Sequence, residues 1–461
     1  MTGDRITAAE LELLRRGQDL HLDHYQGGRL PYAVLSGAGN RARLALLDGP
    51  DAGRAHPVLD ASGSYASACL GAGHEAIRAA LDHGVRQAGQ ATDEIGSLER
   101  ARLLQETLGP DGLWTDHFPY GEYHVSARNS GSEGMELALR LMLESRFDRH
   151  TLRPAQGRAQ RDLIVGFQGA WHGWTSGLVP MLNRRHYRTG LPQLDTTGPY
   201  GVSVVHLPFG EPEALAEFFD ANGHRILGVV VEPVQGDAGI LVPPPGYLRD
   251  LSERCQRNGA LLIADEVLTF AKTGRFFAMA DELGPVPTDV TVIGKSIGMG
   301  AFSLSMVIAR RSLTVRSSGA VATSDLRPLA CAVVRGGLEV MAAEKLVTHA
   351  ESLGQQLTAL LRRELLDQFP ALYQDVRGTG VMHGVELTER AAARLRELRA
   401  HVIQAGVYVE FMAGAGRRTN GLRYVFPTMR IAPPLITTAL DVDEMIGRIA
   451  DGSRAFLKSQ P

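Results

Sequence analysis

The 461-residue chain predicts an α/β fold built on a buried, mostly parallel sheet flanked by helices. From about residue 160 onward, continuous apolar runs recur: "DLIVGF", "ILGVVVEPV", "ALLIADEV", "DVTVIG" and "SMVIAR". Runs of Val, Ile and Leu without polar alternation are what a strand buried on both faces requires. Between the runs lie helical patterns such as "GYLRDLSERCQRNG", the crossovers that parallel strands need. The two ends read differently. Near the start, "GHEAIRAALDHGVRQ" places Ile77, Leu81 and Val85 on one helical face, and the C-terminal part mixes helices with short glycine-bounded strands such as "VRGTGVMHGVEL". The expected division is an N-terminal segment with part of a small domain at 1–85, a large domain at 86–335, and the C-terminal small domain at 336–461. The smaller α+β domain thus draws on both chain ends.

Composition narrows the function. With 44% hydrophobic residues the chain can enclose a deep, dry site, and a net charge of -3 supplies no field for nucleic acid or an anionic membrane. Small-molecule chemistry is the expectation. The three cysteines, Cys69, Cys255 and Cys331, are far apart and form no C-x-x-C pair. That argues against a disulfide framework and a zinc site, so no metal is expected and a reducing cytoplasm fits. The opening "MTGDRITAAELELLRRGQDL" is charged and amphipathic without an apolar h-region, and no run is long enough to span a bilayer. Residues 149–161 and 183–201 read as long surface connections.

Three stretches carry chemistry. In "RNSGSEGMELALRLMLE", Ser130 and Glu133 match a capping box, and Met135, Leu139 and Met142 give the helix that follows an apolar face. Gly131 and Ser132 open that helix, where free backbone amides and the helix dipole favour a bound anion. "LLIADEVLTF" ends a buried strand in Asp265 and Glu266, at the strand end where open α/β sheets place their ligands. Carboxylates emerging there need a ring N–H⁺, a metal, an arginine or a backbone partner. Finally "TVIGKSIGMG" puts Lys295 between an apolar strand and a run of small residues. The run "GKS" at 294–296 does not complete a P-loop, because the glycine required at 289 is Asp289 and the acidic strand precedes it. "HEAIR" lacks the second histidine of a zinc motif, no G-x-S-x-G is present, and "GTGVMHG" misses the dinucleotide fingerprint by one residue.

Taken in order, these stretches resemble the class III aminotransferases, the ornithine-, aminobutyrate- and aminomutase-like pyridoxal-phosphate (PLP) enzymes of fold type I. "NSGSEGMELALRL" resembles the family's phosphate-cup segment, "GAWHGWTSG" its aromatic-His-Gly stretch, "VVVEPVQGDAG" its E-P-x-x-G-E/D run and "LLIADEVLT" its aspartate strand. "VIGKSIGMG", "TSDLRPLACA" and "RIAPPL" then fall where the family has its lysine loop, its threonine segment and its R-x-x-P-P-L. The resemblance runs from about residue 60 to 450, with Lys295 thirty residues after Asp265.

The resemblance implies PLP-dependent amino-group transfer between an amino acid or primary amine and a carbonyl acceptor. Lys295 would hold the cofactor as a Schiff base and then serve as general base and acid. Asp265 would pair with the pyridine N–H⁺, Gly131 and Ser132 would bind the phosphate, and Trp171 and Val267 would flank the ring. Thr323 would reach the phosphate of a neighbouring subunit, so a homodimer with sites at the subunit interface is implied. His172 reads as a structural hydrogen-bonder rather than a base.

Departures from the common family pattern bear on substrate. Leu268 stands where a glutamine often follows D-E-V, "LTFAKTGR" is one residue short, and "LRP" replaces G-N-P. An apolar residue at 268 resembles aminomutase-like members, so migration, epimerisation or decarboxylation stays open beside transfer. Trp174 occupies the place of an arginine that can grip a carboxylate, and Asp237 that of a glutamate that masks a second arginine, here Arg430. The expected acceptor has an apolar or neutral far end, and Arg430 anchors the carboxylate of an amino-acid donor, glutamate ahead of alanine.

Overall fold

Apolar runs build the middle of a seven-stranded sheet, and polar-laced strands form its edges. In a computed structural model, which describes residues 5–24, 29–86, 89–183, 190, 201–314, 321–414 and 425–459, the strands lie in the spatial order Tyr123–Arg128, Ser305–Arg310, Val290–Ile293, Leu261–Glu266, Ile226–Val231, Leu163–Phe167, Ser203–Leu207. All run parallel except Ser305–Arg310, which opposes both of its neighbours. The strands Leu163–Phe167, Ile226–Val231, Leu261–Glu266 and Val290–Ile293 are buried at every position. This is the α/β sheet expected from the sequence, and the one reversed strand is its refinement.

Helices cover the sheet. Gly131–Glu144 buries Met135, Leu137, Ala138, Leu139, Leu141 and Met142, the face read from the sequence, and each large side chain contributes about 1.5–3 kcal/mol of transfer free energy. Its N-terminus differs in one detail from a reciprocal box. Ser130 Oγ accepts from Glu133 N at 3.2 Å, but the Glu133 carboxylate accepts from Asn129 N at 2.8 Å, one residue upstream. The amides of Gly131 and Ser132 therefore keep the open valences of a helix start.

Two four-stranded sheets and a two-stranded ribbon, Ala280–Asp281 with Gly284–Pro285, accompany the large one. Tyr32–Ala38, Arg41–Leu46 and Ala55–Asp60 form an antiparallel meander that Val407–Tyr408 joins in parallel, so the two ends of the chain meet. The other sheet orders Tyr373–Thr379, Met382–Leu387, Thr428–Ile431 and Glu410–Met412, all antiparallel. In helix Glu75–Arg86 the expected stripe fails at its last member. Ile77 is buried and Leu81 packs on the core, but Val85 is 73% exposed. A row spaced by four residues winds about 40° round the helix per step, and by Val85 it has left the packed side.

Residues 149–161 form irregular turns pinned at their C-terminal end: Arg146 Nη2 donates to the Ala159 carbonyl at 2.9 Å, and Arg161 donates to those of Ile226 and Asn258 at 2.6 and 2.7 Å. Most of the loop expected at 183–201 lies outside the described residues. Cys69, Cys255 and Cys331 are free and buried. No helix among the described residues is long and apolar enough to cross a membrane.

Candidate active site

The C-terminal ends of the central strands open into a cavity of about 550 Å³, within the range of small-molecule sites. Nine of the ten residues singled out from the sequence line it: Gly131, Ser132, Trp171, Trp174, Asp237, Asp265, Val267, Lys295 and Arg430. The tenth, Thr323, is exposed and outside this cavity; its neighbour Ser324 donates to Asn129 Oδ1 at 2.6 Å, beside the start of the Gly131 helix.

Strand alternation separates the two carboxylates of "ADEV", since successive side chains point to opposite faces. Asp265 turns to the cavity, where Oδ2 meets His172 Nδ1 at 2.8 Å and Oδ1 accepts from Val267 N at 3.1 Å. Glu266 turns away and ties down the following loop, accepting from the Thr269 hydroxyl and from the amides of Ala278 and Met279 at 3.0 and 2.8 Å. Burial pushes the Glu266 carboxyl up to about 7. His172 is fully enclosed, as the hydrogen-bonding reading of the sequence implies. Burial alone would strip its proton, yet the bond to Asp265 and that carboxylate's charge leave its proton affinity raised. Beneath them, Glu232 accepts from Trp171 N at 2.7 Å and Gly236 N at 3.1 Å, and burial, with Asp265 close by, raises it to about 7.

Lys295 follows the strand Val290–Ile293 after a single residue, Gly294, and is held at φ +45°. A side chain is uncommon in that left-handed region, and such strain concentrates at functional sites. Its amine faces the cavity and makes no hydrogen bond or ion pair with a described residue. Burial first, and the Arg430 guanidinium second, lower its proton affinity, while Asp265, Glu232 and Glu410 oppose them. Val267 is wedged between this turn and the helix start: a Cβ on either Gly131 or Gly294 would lie 2.8 Å from Val267 Cγ1. Gly173, at φ +116°, is needed on the far side, where a Cβ would lie 2.4 Å from Ser132 Oγ.

The profile described as Aminotransferase class-III matches residues 42–452. The chain belongs to the class III aminotransferases. Ornithine aminotransferase of Bacillus cereus (strain Q1) is 30% identical over 409 residues, covering 88% of this chain and 91% of the relative. The mitochondrial ornithine aminotransferase of Oryza sativa subsp. japonica is 29% identical over 401 residues, covering 84% and 76%. Among solved structures, ornithine aminotransferase from Toxoplasma gondii ME49 shares the fold with a TM-score of 0.79 at 23% identity, covering 99% of this chain and 97% of that one. This aminotransferase is thus a PLP-dependent enzyme of fold type I. Its cavity suits that cofactor: a partly desolvated amine, open amides at a helix start and a fixed carboxylate face one space, and His172 Nε2 is buried without a hydrogen-bond partner.

Three residues of the aminotransferase's site were not singled out from the sequence. Tyr65 lines the cavity from a left-handed turn at 63–66, and Glu410 pairs with Arg430. The signal for Glu410 was a single charge within the apolar run "VYVEFM". Asp237, a shorter acid than the glutamate that relatives carry there, lines the cavity, and the buried ion-pair partner of Arg430 is Glu410, which register places directly across from it. The third is Lys272, buried, with Nζ donating to the Leu268 carbonyl at 2.9 Å and to the Ser296 hydroxyl. It braces the residue after Lys295 and the backbone of a cavity wall. Burial pushes Lys272 down to about 7, with Cys69 opposing the shift and Lys295 and Arg430 adding to it. A lysine whose folded pKa is depressed binds more proton when unfolded, so stability should rise with pH from about 7 to the ordinary lysine value of ~10.4. Lys272→Met should flatten that rise in denaturant titrations, and misplacement of the lysine turn should lower kcat about tenfold. An unchanged slope and kcat would refute the bracing role.

Proposed function

We propose that this aminotransferase carries an amino group from an amino acid anchored by Arg430 to a carbonyl compound whose far end is apolar or neutral. The carrying observation is the convergence of Lys295, Asp265 and the Gly131 helix start on one cavity that has Trp174, 73% exposed, at its mouth and Arg430 in its wall. The amides of Gly131 and Ser132 would hold the cofactor's phosphate, Trp171 and Val267 would flank its ring, and the Asp265 carboxylate would pair with the ring N–H⁺. Bound there, PLP supplies an aldehyde for the incoming amine and a ring that accepts the electron pair left at the substrate carbon. His172 and the Val267 amide fix the Asp265 carboxylate in place. Lys295 would attach the cofactor; freed by the substrate amine, its Nζ would take the proton from the substrate carbon and deliver it to the cofactor's former aldehyde carbon, so that the amino group stays behind when the carbonyl product leaves. Burial and the Arg430 guanidinium lower the proton affinity of Lys295, which favours the neutral amine that this base step needs.

The same reading assigns Thr323 to the cavity of a second copy, which its exposure outside its own cavity supports, and so to a homodimer. It places the enzyme in the cytoplasm and divides the chain at 85 and 335. Leu268 lining the cavity favours a second reading, an aminomutase, epimerase or decarboxylase outcome. Product analysis with single amines, with and without a keto acid, separates them: turnover that requires the acceptor is transfer.

Specificity follows from the wall. Arg430→Ala should raise the KM of the amino-acid donor roughly a hundredfold, because a buried charge partner is removed. Trp174→Arg should improve dicarboxylate or ω-amino-acid substrates severalfold over neutral ones, as expected of a partly solvated pair. A donor and acceptor panel on wild type and both variants checks this. An unchanged donor KM in Arg430→Ala ends the anchor assignment, and no gain in Trp174→Arg ends the pocket argument.

A further inference from the structure

Thr323 is exposed, but the residues that follow it are tied firmly into the fold. Ser324 reaches Asn129, and Asp325 turns to the strand Tyr123–Arg128. That strand is an edge of the large sheet, so its outer backbone groups have no neighbouring strand to pair with. Asp325 fills the gap. Its Oδ1 accepts from Ala127 N at 2.6 Å, and its Oδ2 accepts from the Ser126 hydroxyl at 2.5 Å and from the buried Arg128 guanidinium at 3.4 Å. The Asp325 amide donates to the Ala322 carbonyl at 3.0 Å, which closes a turn around Thr323. From the other side Arg100 donates to the carbonyls of Asp325 and Leu326 at 3.4 and 3.2 Å, and Leu326 is held at φ +45°. A side chain persists in that left-handed region where its surroundings enforce it.

Only Asn129 and Ser130 separate the end of this strand from Gly131, where the helix with the open amides begins. One carboxylate thus grips the Thr323 turn and the strand that delivers Gly131 and Ser132. We propose that Asp325 is a positioning residue for the neighbouring subunit's cofactor: it clamps the Thr323 turn to the strand end, so that the hydroxyl one subunit offers across the interface is held in register with its own phosphate cup. The proposal rests on reading Thr323 as the residue that serves a second copy. A hydroxyl on a loose surface turn would lose conformational freedom on meeting a phosphate, whereas one on a turn already held by charge-assisted hydrogen bonds has little left to lose.

The test is release of PLP from the holoenzyme after dilution, read by loss of the bound cofactor's absorbance, with sedimentation recording the number of subunits. Asp325→Ala should speed release about tenfold, the effect of losing one hydrogen bond to a charged group, and Thr323→Ala should do the same. The double variant should release no faster than Thr323→Ala alone, because Asp325 acts through Thr323. Hybrid dimers locate the effect. When a wild-type chain is paired with a chain carrying both Lys295→Ala and Asp325→Ala, the site that keeps Lys295 should release PLP at the fast rate. Additive rates in the double variant, slow release from that hybrid site, or an Asp325→Ala protein that falls to monomers overturns the proposal. If the wild type is a monomer or Thr323→Ala leaves release unchanged, the reading of Thr323 falls and the proposal with it; if only Asp325→Ala leaves it unchanged, the clamp alone fails. Removing one partner of a buried ion pair can unfold a protein. In that event Ser126→Ala, which deletes one bond of the clamp and no charge, carries the test. Release about threefold faster is expected, with no further gain on Thr323→Ala, and an unchanged rate overturns the proposal.

Discussion

Lys295→Ala should leave the fold intact and lower turnover by about 10⁴-fold, because one side chain supplies both the cofactor's attachment and the base. Its surroundings support an isolated loss. The side chain faces the cavity, carries no structural hydrogen bond or ion pair among the described residues, and sits in a backbone turn that alanine can adopt at a similar strain. Stability should hold or rise slightly, since a buried amine with lowered proton affinity is removed. In the wild type, borohydride should fix the cofactor on the peptide that contains Lys295. A variant retaining activity within tenfold of wild type, or a label recovered on Lys272, would falsify the assignment.

Asp265→Asn should rank second, with a loss of about 10³-fold in kcat, the scale of removing a preorganised charge from the site of reaction. The amide has the shape of the carboxylate and can keep the Val267 contact, so cofactor affinity should fall far less than rate. The histidine gives an independent readout. His172 owes its raised proton affinity to Asp265, so its charged form stabilises the protein below the ordinary histidine pKa of ~6.5, and that contribution fades as pH climbs through the raised folded value. Asp265→Asn should erase this pH dependence of unfolding in the unliganded protein. A near-wild-type rate would reduce Asp265 to a structural residue.

How much of this was legible in the sequence depended on burial. "LIVGF", "ILGVVV", "LLIADE" and "VTVI" are strands because each must be apolar on both faces. The strands Tyr123–Arg128 and Ser203–Leu207 escaped because they form the sheet's two edges, where half-solvated positions admit His and Ser. Nor does an apolar run carry a direction, so nothing in "SMVIAR" told that it runs against the rest. In the site, residues next to glycines or at strand ends could be read, because backbone geometry demands those types locally. The pairing of Arg430 with Glu410 could not, since only sheet register brings together residues twenty positions apart. Lys272 was hidden because the contact that gives it its role, to the Ser296 hydroxyl, comes from a separate turn that only the tertiary fold brings close. The left-handed backbone of Ser64, Tyr65 and Ala66 has no signature in "GSYA", because tertiary contacts impose it at about 1–2 kcal/mol per residue.

The cross-strand pair also ties two traits together. Arg430 lowers the proton affinity of Lys295 and Glu410 raises it, so the intact pair acts on the base nearly as a dipole. Exchanging the arginine alone, to admit a different acid, would leave an uncompensated negative charge near the amine and make it a stronger but less often neutral base. Exchanging the glutamate alone would do the reverse. A lineage that changes its diet of acids through this strand must therefore also retune its base, and the economical mutational route alters both positions at once. Laboratory evolution of this enzyme would be better served by libraries that randomise 410 and 430 jointly than by scanning either alone.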